Sequence, residues 1–133
     1  MKRLLFLFLL LASSVFASAQ TQVVVLAKSS QSWEGSPLPA YPKEAPEISV
    51  LKITIPPHTT LPLHKHPIIN VGYMVKGTLK VVTEEGEVLH LSAGDAIIEV
   101  VEKWHYGVNE SDEPVEIVVV YAGTKESVYS ISK

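Results

Sequence analysis

From Gln20 onward the chain is written in short runs rich in Val, Ile, Thr and Tyr, each cut off within ten residues by Gly, Pro, Asn or acidic residues. β-branched and aromatic side chains suit a pleated, half-buried surface, and the interrupting residues supply turns. Strands are expected over 22–27, 47–55, 71–75, 78–83, 87–91, 96–101, 115–121 and 127–131. No stretch of useful length carries a 3.6-residue apolar period, so helices have nothing to nucleate them. Closely spaced strands of this kind build a sandwich or a barrel.

Turns between the runs have identifiable chemistry. Glu84-Glu85-Gly86 joins two runs as a hairpin, and Gly94-Asp95 makes a tight corner before Ala96. Asn109 to Pro114 is a polar loop ending where proline is tolerated, at a strand start. The segment 29–46 holds Pro37, Pro39, Pro42 and Pro46 and is too rich in proline for a central strand. It is expected to be an arm laid over the barrel, with Trp33 and Tyr41 as anchors; a loose linker is the alternative.

The first nineteen residues belong to a different class of sequence. Met1-Lys2-Arg3 is positively charged, Leu4 to Ala12 is an unbroken apolar run, and Ala17-Ser18-Ala19 is a small-x-small cleavage site. That order predicts a secretory signal peptide, residues 1–19, leaving a single domain over 20–133. The apolar run is shorter than the roughly 20 residues of a spanning helix, which argues against retention as a membrane anchor. The chain has no cysteine, which excludes a lipoprotein and a disulfide scaffold. A periplasmic or secreted location is expected.

The whole chain carries 11 basic and 14 acidic residues; without Lys2 and Arg3 the balance is −5 with His neutral. No basic cluster remains, so nucleic acid and an anionic membrane surface are poor partners.

Chemistry concentrates at His64-Lys65-His66 and at Trp104-His105. Residues two apart on a strand point to one side, so His64 and His66 present two imidazoles together. A third His from a neighbouring strand, His105, can close a metal site around them. His58, in a Pro-Pro-His-Thr-Thr corner, and His90 lie apart and are expected to be structural.

In order, the pattern is His64-x-His66, three residues, Asn70, six residues, Gly77; then Gly94, ten residues, His105, three residues, Asn109. It resembles the two motifs of the cupin superfamily. The first of these is Gly, five residues, His-x-His, three or four residues, Glu, six residues, Gly. The second is Gly, five residues, Pro-x-Gly, two residues, His, three residues, Asn. The resemblance implies an all-β fold, a single-domain antiparallel double-stranded β-helix or jelly-roll barrel. It also implies a divalent transition metal (Fe, Mn, Ni or Zn) held by His64, His66 and His105.

Departures from the motifs fall at His58, in the first glycine position, and at Val100 and Glu102, in place of the Pro and Gly of the second. Asn70 stands where the family has its Glu ligand. An amide oxygen there would leave a bound divalent ion near +2, favouring weaker binding, stronger Lewis acidity and an anionic small-molecule substrate. Isomerase or lyase chemistry is the first expectation, a dioxygenase the second, and a non-catalytic ligand- or metal-binding module the alternative. A barrel that has lost its metal through Asn70 is the further possibility.

Three other positions stay open. Glu99 interrupts the apolar run Ala96–Val101; inward it is a buried carboxylate and candidate catalytic base, outward an ordinary solvated residue, and outward is the expectation. Met74 either lines the cavity or packs in the core. Asn109-Glu110-Ser111 matches an N-glycosylation site but also closes the second motif. Exposed strand edges on a small barrel make a homodimer the expected assembly.

Overall fold

A computed structural model describes residues 20–133; the expected signal segment, 1–19, lies outside the described residues. Ten strands make up the described secondary structure: β1 Pro46–Ile55, β2 Thr59–Thr60, β3 His64–Lys65, β4 Ile69–Lys76, β5 Thr78–Thr83, β6 Val88–Ser92, β7 Ala96–Ile98, β8 His105–Asn109, β9 Val115–Thr124 and β10 Ile131–Ser132. They form two sheets. The first runs β1-β9-β4-β7; the second runs β10-β3-β8-β5-β6, with β2 also paired to β8. Every pairing is antiparallel.

Period-two alternation decides which side chains meet between the sheets. On β9, Val115, Ile117, Val119 and Tyr121 are buried while their neighbours are only half-buried. Met74 on β4, Leu79 and Val81 on β5 and Leu91 on β6 complete the core with Ile55 and Ile97. Met74 is wholly buried there, which places it in the core.

Most expected strands are present, with shifts at their ends. The run at 96–101 forms a strand only to Ile98, and that at 127–131 contributes only through β10. β8 was not expected: His105-Tyr106-Gly107-Val108-Asn109 contains a glycine, and a Cβ at Gly107 would sit 3.3 Å from side-chain carbons of Leu61 and Leu79, so glycine leaves them room. β2 and β3 are too short to show alternation; Pro62 and Pro67 frame the second of them and remove its flanking donors.

The expected strand at 22–27 does not form. Val23, Val24 and Val25 are 70–85% exposed, and the segment runs beside the outer face of β4 and β7 with no ladder partner. The proline-rich arm is ordered as expected: Trp33 donates its backbone N–H to Ile98 and packs on the core, and Gln31 bridges to Pro37. Tyr41 is 76% exposed and anchors nothing, a correction to its expected role.

The motif departures preserve backbone shape. His58 and Glu102, the two residues in glycine positions, both adopt positive φ, 52° and 58°. The left-handed turn survives the loss of the glycine that usually provides it.

Candidate metal centre

β3 and β8 are direct partners, with His64 opposite His105, and His66 follows on the same side of the chain. The three rings lie with centroids 4.5–5.0 Å apart. One ligand nitrogen from each lies within 4.8 Å of the others.

Backbone carbonyls fix which nitrogen that is. Nδ1 of His64 donates to Pro62 O at 2.8 Å, Nδ1 of His66 to Tyr129 O at 2.7 Å, and Nδ1 of His105 to Lys103 O at 2.9 Å. Each ring with its proton on Nδ1 is left with a lone pair on Nε2, the arrangement a metal ligand requires. Nε2 of His105 is buried and has no hydrogen-bond partner among the described residues. Burial pushes His66 and His105 down to about 4, so both rings are neutral at pH 7. Three imidazoles with their Nε2 atoms convergent fit a divalent transition ion.

Two further orphan atoms face the same cavity. Asn70, at the start of β4, is 1% exposed; its Nδ2 donates to Ile68 O, while its Oδ1 has no partner. Glu99 follows β7, and its Oε2, also without a partner, lies 3.7 Å from His105 Nε2. Glu99 therefore points inward, against the expectation of a solvated residue. Its backbone N–H bonds to Asn70 O, continuing the β4–β7 register one residue past Ile98, so its side chain falls on the same buried side as Ile97. Burial raises its carboxyl to about 7.

The cavity holds about 250 Å³, a little below the usual size of a small-molecule site. Tyr121, Ser130 and Ser132 also line it and were missed from the sequence. Tyr121 could have been found, because it continues the buried alternation Val115, Ile117, Val119 of β9. Burial first, then the Glu99 charge, pushes its hydroxyl up to about 12, keeping it a proton donor. The serines arrive through β10, where Ser132 pairs with His64 in a register no local pattern announces.

The remaining motif residues are structural. His58 bonds Asp112 at 2.8 Å on the surface, and His90 is exposed on β6. Asn109 is wholly buried; its Nδ2 donates to Ile55 O, Pro56 O and Glu113 O, and its Oδ1 accepts from Ser111. That burial removes it as a glycosylation acceptor. Trp104 does not line the cavity; Lys65 and Lys133 lie over its ring at 5.4 and 5.5 Å.

Two antiparallel sheets enclosing a three-histidine cluster at one end define a β-barrel with a metal-binding class of site. A family model described as "Cupin domain" matches residues 51–121, and the chain belongs to that family. Among solved structures it is similar to the DMSP lyase DddQ from Ruegeria pomeroyi DSS-3 (TM-score 0.57, 19% identity), covering 65% of this chain and 43% of that one. It is similar to the oxalate decarboxylase of Lactobacillus farciminis (TM-score 0.54, 31% identity), covering 64% of this chain and 26% of that one. It also resembles the salicylate 1,2-dioxygenase of Pseudaminobacter salicylatoxidans (TM-score 0.52, 21% identity), covering 56% of this chain and 21% of that one. The chain thus spans less than half the length of each of these proteins. No curated protein sequence matches it.

Proposed function

We propose that this protein is an exported, metal-dependent cupin that converts a small anionic organic molecule by Lewis-acid isomerase or lyase chemistry. His64, His66 and His105 hold a divalent transition ion, with the Asn70 Oδ1 as a neutral fourth donor. When bound, the ion supplies Lewis acidity to an oxygen of the substrate. The observation that carries the catalytic reading is the inward Glu99, a buried carboxylate with no partner and a pKa raised to about 7. Its Oε2 is within 4 Å of one histidine nitrogen only, beside the ligand cluster rather than inside it. From there it takes a proton from a C–H or O–H of the bound molecule and returns it elsewhere, as an isomerisation or elimination requires. Tyr121, held protonated, donates to a substrate oxygen.

A dioxygenase is the second reading within the class. An all-neutral donor set holds Fe(III) poorly, which disfavours it. A non-catalytic binding module is the alternative that Glu99 argues against.

Export rests on the charged, apolar and Ala-x-Ala order of residues 1–19. Homodimerisation rests on the outer face of the first sheet, where Ile48, Val50, Val71, Tyr73 and Val75 are 40–66% exposed.

The testing experiment is metal content by mass spectrometry on untagged protein, with N-terminal sequencing of the exported form. Near one metal per chain, lost in His64→Ala, and a terminus at Gln20 are expected. A metal-free wild type after reconstitution overturns the metal reading, and a terminus at Met1 overturns export.

A further inference from the structure

The cavity is chemically two-ended, and the register shows how. At one level of the barrel Tyr121 pairs with Asn70, and His105 pairs with Thr83. One side-chain layer further in, Val119 pairs with Gly72, and Gly107 pairs with Val81. Beyond them Ile117 pairs with Ile53 and with Met74. Polar groups therefore end at the histidine layer, and the deeper wall is hydrocarbon. Gly107 keeps that depth open, since its missing Cβ leaves Leu61 and Leu79 at the wall instead of a side chain across it.

Charge is equally one-sided. Among the described lining residues there is no Lys or Arg, and Glu99 is the single carboxylate. A second anionic group reaching the apolar end would lose its water and gain no partner. A hydrocarbon group there gains roughly 0.8 kcal/mol for each methylene or methyl removed from water. The volume of about 250 Å³ leaves room for only a short one.

We propose that the substrate is a small monocarboxylate bearing a short, branched or linear alkyl group. Its charged oxygens meet the three-histidine end, and its alkyl group lodges among Leu61, Leu79, Ile117 and Val119. This deepens the metal-dependent reading and rests on it for the anionic end. It excludes as preferred substrates those acids whose second carboxylate must enter the barrel.

The test uses three 2-oxo acids that share one chelating head: pyruvate, 3-methyl-2-oxobutanoate and 2-oxoglutarate. Zn(II) uptake by the whole mature chain is titrated first, and each acid is then titrated calorimetrically into the loaded protein. The branched acid is expected to bind about tenfold tighter than pyruvate, from its two extra carbons. 2-Oxoglutarate is expected to bind no tighter than pyruvate. Leu61→Asn, at a half-buried loop position, should cut the branched-over-methyl preference of the Zn(II)-loaded protein about threefold. Zn(II) uptake followed by equal affinities, or by preference for 2-oxoglutarate, overturns this inference alone. Failure to take up Zn(II) overturns it together with the metal reading. A Leu61→Asn variant that binds Zn(II) and keeps the full preference overturns the placement of the alkyl group.

Discussion

Glu99 Oε2 and His105 Nε2 lie 3.7 Å apart, both buried and neither hydrogen-bonded. Two such atoms are left bare at a cost of about 1–3 kcal/mol each unless a ligand or solvent meets them. Glu99→Gln keeps the size and removes the titrating oxygen. The variant is expected to retain its metal and lose turnover by at least about 100-fold. Metal content beside steady-state rates decides it: lost metal in the variant makes Glu99 a ligand, and unchanged rates remove it from the chemistry.

Asn70→Asp adds a negative charge at an orphaned oxygen without changing the side chain's shape. Metal affinity, measured by competition with a chromophoric chelator, is expected to rise about tenfold or more. Unchanged affinity would show that position 70 does not reach the ion.

His58→Gly relieves a left-handed backbone in a non-glycine residue, at the loss of one surface contact to Asp112. Surface pairs are worth little, and the left-handed conformation costs about 1–2 kcal/mol. After allowance for the freer unfolded chain, a gain of about 0.5–1 kcal/mol is expected by urea denaturation. A loss of stability would mean that the imidazole is holding the corner.

Acid should weaken the metal-free protein. His66 and His105 titrate near 4 in the fold and near 6.5 when unfolded, so between these values the unfolded chain holds two more protons there. Glu99 opposes them: at about 7 in the fold against about 4.5 unfolded, it holds one extra proton in the native state. The net is one proton more in the unfolded chain between pH 4.5 and 6.5. Stability should therefore rise with pH there by about 1 kcal/mol per unit. Denaturant midpoints at pH 5 and 6.5 test this, and a flat or falling trend contradicts the buried neutral imidazoles.

Val71→Lys places a charge in the middle of the apolar outer face of β4, where Val71 is 40% exposed. Light scattering should give a dimeric mass for wild type and a monomeric one for the variant, with the fold retained. A monomeric wild type would sink the dimer.

The β class, the barrel and the three histidines were legible because each leaves a repeating trace: alternation along β1, β5 and β9, and fixed spacing between His64, His66 and His105. Glu99 was ambiguous for a physical reason. It lies one residue past the end of β7 in an otherwise apolar run, where a solvated carboxylate is the ordinary outcome; the β4–β7 register, continued from Val71–Ile98 to Asn70–Glu99, instead puts it on the buried side with Ile97. β8 was hidden by Gly107, a residue that lowers strand propensity and is present because Leu61 and Leu79 need the space. The arm at 22–27 erred the other way: strand propensity is high there, but among the described residues it has no ladder partner.

The three groups that set the tautomers of His64, His66 and His105 are main-chain oxygens, from Pro62, Tyr129 and Lys103. Every amino acid carries that oxygen, so this half of the centre has no letter in the sequence and cannot be deleted by exchanging one. Exchanging the side chain at 62, 103 or 129 leaves that oxygen in place, provided the chain path holds. What aims the rings is therefore vulnerable above all to insertions, deletions and changes that bend the main chain.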